Sequence, residues 1–81
     1  MFFRVSKREK EVIDRNVAKD KEKLCATVKE MRKAGSTEAE IKKAIDGAGV
    51  KAGFVGAGLR YSRKKIYEAI DLDLQRAAAG D

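Results

Sequence analysis

The chain has no histidine, no proline and no tryptophan, and its single cysteine is Cys25. Each absence closes off a class of chemistry. Without histidine, the usual zinc ligand sets and the Ser–His or Cys–His nucleophile pairs cannot be assembled. One cysteine cannot form an internal disulfide, so nothing points to an oxidising compartment. Cys25 lies beside Leu24 and three residues before Val28, the spacing of a small core residue rather than of a nucleophile. No pair of acids has a spacing that demands catalysis. The expectation is therefore a non-enzyme with no metal and no cofactor. No apolar run approaches the ~20 residues that cross a bilayer, and Met1-Phe2-Phe3 is too short for the apolar core of a signal peptide. The expected location is cytoplasmic, with no membrane partner.

Aromatic residues are also scarce, at 6%, while charged residues reach 40%. A chain of 81 residues holds one domain with a modest core, here of Ile, Val, Leu and Ala. Freedom from proline, with abundant alanine and charge, favours helices. The formal net charge of +6 suits an acidic or nucleic-acid partner.

Ser6-Lys7-Arg8-Glu9 has the form of a capping box and predicts a helix from Lys7. The helical pattern runs to Ala34, with Gly35 as its stop. Ile13, Val17, Leu24, Val28 and Met31 fall on one narrow stripe, interrupted by Asp20 and Thr27. This is either one long helix or two broken near Lys19–Glu22. The stripe is also a candidate dimer or partner face, and a homodimer is expected because an 81-residue monomer has little with which to cover it. Thr37 and Glu40 form a second capping box, opening a short helix with Ile41, Ala44 and Ile45 on its apolar side and an end near Asp46-Gly47. Residues 47–59 hold five of the seven glycines. They form either a weak helix held by tertiary contacts or a loop. Their spacing is not that of a nucleotide-binding glycine loop.

The stretch Arg60-Tyr61-Ser62-Arg63-Lys64-Lys65-Ile66-Tyr67 carries the functional expectation. Ser62 is placed to cap a helix whose apolar face is Ile66, Ile70 and Leu74. Cations would then crowd its first turn, where the helix dipole prefers acids, and an external phosphate would relieve the conflict. The candidate DNA-binding residues are Arg60, Ser62, Arg63, Lys64, Lys65 and Tyr67. Tyr61 is a further candidate for sugar or backbone contact. The residues Ala77 to Asp81 are expected to fray and residues 1–5 to form an arm on a single helical domain.

From Val55 to Ala69 the chain resembles the helix-turn-helix motif of bacterial repressors and resolvases, whose recognition helix often reads Ser-Arg-x-x-Ile/Val-Tyr. The resemblance implies an all-α domain ending in a helix-turn-helix-like pair. Gly56 would lie at the closest approach of the two helices, and Val55, Leu59 and Ile66 would form their shared core. Ser62, Arg63, Lys64 and Tyr67 would face the major groove or its phosphates of double-stranded DNA. Arg60 departs from the motif, which usually carries glycine in the turn. Phe3-Arg4-Val5-Ser6, followed by Glu9 and Ile13, resembles instead the opening of ribbon-helix-helix proteins, including plasmid mobilisation accessory proteins, with Arg4 as a base-reading candidate. Both resemblances imply a DNA-binding regulator or an accessory factor of a bacterial mobile element. The competing expectation is a helical interaction module, such as a phage- or plasmid-encoded inhibitor or adaptor, with a protein partner.

Overall fold

A computed structural model of the chain describes residues 5–80, which form helices α1 (Lys7–Lys33), α2 (Glu38–Lys51) and α3 (Gly56–Ala78). Ser6 caps α1: its Oγ accepts the Glu9 N–H at 3.1 Å and donates to Glu9 Oε1 at 3.2 Å. At α2 the capping box is complete. The Thr37 N–H donates to Glu40 Oε1 at 3.0 Å, and the Glu40 N–H donates to Thr37 Oγ1 at 3.2 Å. The N–H bond from Thr37, and then its hydroxyl, hold the Glu40 carboxyl below its ordinary range. A carboxyl depressed in the folded state stabilises above its unfolded pKa and loses that contribution as pH falls through the folded one. Glu40→Gln is therefore expected to remove part of the acid-side loss of stability, seen as a flatter melting temperature against pH below the glutamate range.

Gly35 ends α1 at φ +82°, letting the Ser36 N–H reach the Met31 carbonyl at 2.9 Å and the Gly35 N–H the Arg32 carbonyl at 3.1 Å. Gly53 does the same for α2 at φ +95°, with the Phe54 N–H on the Gly49 carbonyl and the Gly53 N–H on the Val50 carbonyl. Both are paired bonds of the kind that satisfy the last carbonyls of a helix through a left-handed residue.

Of the two readings of the first helix, the continuous one holds, with no break at Lys19–Glu22. Thr27, which interrupts its apolar stripe, donates its hydroxyl back to the Lys23 carbonyl at 2.9 Å. The second helix does not stop at Asp46-Gly47 but runs on to Lys51. The third begins at Gly56, so Ser62 is an interior residue and not a cap, and no turn occurs at Arg60. Residues 47–59 thus divide into the end of α2, a short turn and the start of α3. The Ala77-Ala78 segment expected to fray is helical. The Phe3-Arg4 part of the proposed N-terminal strand, and Arg4 as a base reader, lie outside the described residues.

The helices form an up-down-up bundle. Tyr61 of α3 meets Asp14 of α1 toward one end, and Asp73 meets Lys29 toward the other, so α1 and α3 run parallel. The core consists of Ile13, Val17 and Val28 from α1, Ile41 and Ile45 from α2, and Ile66 and Ile70 from α3. β-Branched residues cost a few tenths of a kcal/mol in a helix through lost side-chain freedom. Full burial of each is worth roughly 1.5–3 kcal/mol, so packing outweighs propensity. Leu24 and Met31 are half-buried against the same cluster. The stripe is therefore covered within one chain, and it supplies no argument for a second copy.

Gly49 explains why α2 passes through its glycines. It is buried, and a Cβ there would come within 2.6 Å of Leu59 Cδ1 on α3. Gly56, expected at the closest approach, would meet nothing within 4 Å. Gly47 is exposed, also with open space around it and no positive φ. Gly47→Ala is expected to stabilise the protein by roughly 0.5–1 kcal/mol, because only the helical entropy penalty of glycine is removed. A chemical melt showing no gain would mean that this turn of α2 is not helical in solution.

Candidate nucleic-acid interface

A helix turns about 100° per residue, so a run of eight residues cannot present all its side chains to one partner. The stretch Arg60–Tyr67 lies within continuous α3, and its members divide accordingly. Ser62 faces inward at 2% exposure, near Gly49 of α2. It cannot reach a nucleic acid. Tyr67 is half-buried and packs on the rim of the core. Arg63 turns toward α2, where its Nη1 donates to Asp46 Oδ2 at 2.9 Å, and both side chains are only 24% exposed. Three of the six expected contact residues are thus structural.

Arg60, Lys64 and Lys65 remain. Arg60 and Lys64 are exposed and four residues apart on the outer face of α3, and neither forms an ion pair among the described residues. Lys65 leans toward α1. Its ammonium sits 5.5 Å from the centroid of the Tyr61 ring, and 3.6 Å from Glu68 Oε2. Glu68 first, and then Tyr61, raise the Lys65 pKa and keep it cationic.

Tyr61 joins the two helices. Its hydroxyl donates to Asp14 Oδ1 of α1 at 2.9 Å. Desolvation first, and then that hydrogen bond, push the phenol above its ordinary pKa, so it stays a donor. Lys10 of α1 brings a second ammonium to within 5.7 Å of the same ring centroid. Two like charges are thereby gathered around one aromatic ring, each gaining a modest attraction to it. No local signal points to Lys10, because it lies 51 positions before Tyr61 and is brought in only by the parallel packing of α1 on α3.

The dipole conflict that first drew attention to this stretch is absent. The effect of a helix terminus fades within one turn, and α3 starts four residues before Arg60. Its first turn holds no acid, and its last carries Arg76. Glu68, Asp71 and Asp73 lie in its interior, where Asp73 pairs with Lys29 of α1 at 2.7 Å.

Cys25 is half-buried, and burial first and Asp73 second raise its thiol pKa, which keeps it in the unreactive form. Among the described residues no cluster of His, Cys, Asp and Glu could hold a metal ion, and no helix is long and apolar enough to cross a membrane. No family model, no curated protein and no solved structure matches this chain. The functional reading therefore stands on the geometry of its own residues.

Proposed function

We propose that this protein is a small basic DNA-binding regulatory protein that holds duplex DNA by its phosphates. The contact surface is Arg60, Lys64 and Lys65 of α3 together with Lys10 of α1. The observation that carries this reading is the gathering of Lys10 and Lys65 around Tyr61, on the helix that also exposes Arg60 and Lys64, which form no ion pair among the described residues. Cations held on two packed helices give a fixed spacing, and fixed spacing lets several phosphates be neutralised together. Ser62, Arg63 and Tyr67 support this surface from within and do not touch the nucleic acid.

A gel shift with random duplex DNA at 50 and 200 mM salt tests the proposal. Four neutralised phosphates correspond to a slope of log affinity against log salt of about −3.6, a loss on the order of 10²-fold across that range. No retardation of the duplex at 50 mM salt would overturn it. A sequence-specific component would add a preference of roughly 1–3 kcal/mol per base contact on top of this term.

A further inference from the structure

We propose that the duplex continues along the seam between α1 and α3, where Lys21 and Arg76 hold a second set of its phosphates. This rests on the DNA-binding reading above and adds two cations to its contact surface. The placement follows from helix geometry. Lys21 lies eleven residues after Lys10 on α1, and Arg76 lies eleven residues after Lys65 on α3. Eleven residues make three turns and about 20° more, so each later cation returns to nearly the same face of its helix. Lys10 and Lys65 meet at the Tyr61 ring, 5.7 and 5.5 Å from its centroid, across the junction of the two helices. Because α1 and α3 run parallel, the same step along each brings Lys21 and Arg76 to that junction again. The second pair lies about 16–17 Å further on.

The side chains converge as that geometry requires. Lys21 and Arg76 line one groove between α1 and α3, together with Cys25, Lys29, Leu72 and Asp73. The groove holds about 410 Å³, many times the roughly 30 Å³ share of one water. Of its two acids, Asp73 is taken up by Lys29 at 2.7 Å, which leaves Glu22. Lys21 and Arg76 are exposed and form no ion pair among the described residues. The groove is therefore net positive and complementary to an anion.

Two features commit the groove to the same duplex. The first is continuity: it lies on the seam that already carries Lys10, Tyr61 and Lys65. A duplex presents one charge for about every 1.7 Å of its axis, so phosphates are on offer over the whole interval between the two cation pairs, about five base pairs. The second is Leu72, which is 56% exposed in the wall of the groove. A sugar–phosphate chain suits an apolar side chain flanked by cations. Its phosphates take the ammonium and the guanidinium, the latter through paired N–H donors, and its sugars cover the methyl groups.

Two measurements on the full chain with random duplex DNA test this. The first is the slope of log affinity against log salt. Six neutralised phosphates give about −5.4 where four give about −3.6, and Lys21→Ala/Arg76→Ala should return the first value to the second. Arg15→Ala/Lys19→Ala removes the same charge from α1 away from the seam and should leave the slope unchanged. The second is the methyl resonances of Leu72 and Ala69, which should shift when duplex is added and stay in place in the Lys21→Ala/Arg76→Ala variant. A wild-type slope near −3.6, with Leu72 and Ala69 unmoved by bound duplex, would overturn this inference and leave the DNA-binding reading intact. Equal flattening by the two double variants would also overturn it, because net charge rather than the seam would then set the affinity. No binding by the wild type at 50 mM salt would overturn both readings together.

Discussion

Arg60→Ala combined with Lys64→Ala will flatten the slope of log affinity against log salt by about 1.8 units and weaken duplex binding roughly 60-fold at 0.1 M salt. The size follows from two lost phosphate contacts, each releasing about 0.9 of a counterion. Stability should barely change. Both side chains are exposed and form no ion pair among the described residues, and such surface changes usually stay within about 0.5 kcal/mol. DNA titrations at several salt concentrations, with melting curves alongside, provide the check. A double variant that binds with the wild-type slope would remove these two residues from the interface. Lys10→Ala/Lys65→Ala extends the same test to the cations around Tyr61.

Arg63→Ala will do the reverse, lowering stability and leaving the salt slope where it was. Asp46 Oδ1 is buried with no hydrogen-bond partner among the described residues, and Oδ2 accepts from the Arg63 guanidinium at 2.9 Å. Removing Arg63 leaves a carboxylate between α2 and α3 with nothing to balance it. Breaking a fully buried pair costs about 3–5 kcal/mol; the quarter exposure of this one brings the expectation to about 2–3 kcal/mol. For a domain of this size that is a fall of about 10–20 °C in melting temperature. Replacing both partners with apolar side chains of similar volume, as in Asp46→Leu/Arg63→Met, should recover most of it, because the uncompensated charge is then gone. A wild-type melting temperature for Arg63→Ala, together with a slope flattened by about 0.9, would return Arg63 to the DNA surface.

The two variants separate roles that neighbouring residues conceal. Arg63 and Lys64 look equivalent in the sequence: both are cations in a basic run next to a tyrosine-containing motif. One step along a helix rotates the second by about 100° relative to the first. Arg63 is thereby turned to α2 and Lys64 to solvent. The resemblance of residues 55–69 to a recognition helix attaches contact roles to Ser62, Arg63 and Tyr67, but their placement gives them roles in packing and pairing instead.

What the sequence by itself determined were the features that act over four residues or fewer. The serine and threonine boxes at Ser6 and Thr37 set the starts of α1 and α2, and Gly35 set the end of α1, since each satisfies backbone groups in its own turn. The spacing of Ile13, Val17, Val28, Ile41, Ile45, Ile66 and Ile70 marked the core, because apolar residues three and four apart share a helix face, but the same spacing put Leu74 on that face, and it is 42% exposed. Tertiary structure decided the rest. Gly47 reads as a helix stop, yet α2 continues past it because Gly49 lets Leu59 of α3 approach and the packed core repays the propensity lost. Ser62 reads as a cap, yet it is buried in mid-helix because α3 gains its first turns from contact with α1 and α2 rather than from a capping side chain. Which cations are free depends on acids and rings far away in the chain: Asp46 is 17 residues from Arg63, and Lys10 is 51 from Tyr61. A helix can bring residues three or four apart together by its own geometry, but only the packing of one helix on another can join partners at those distances.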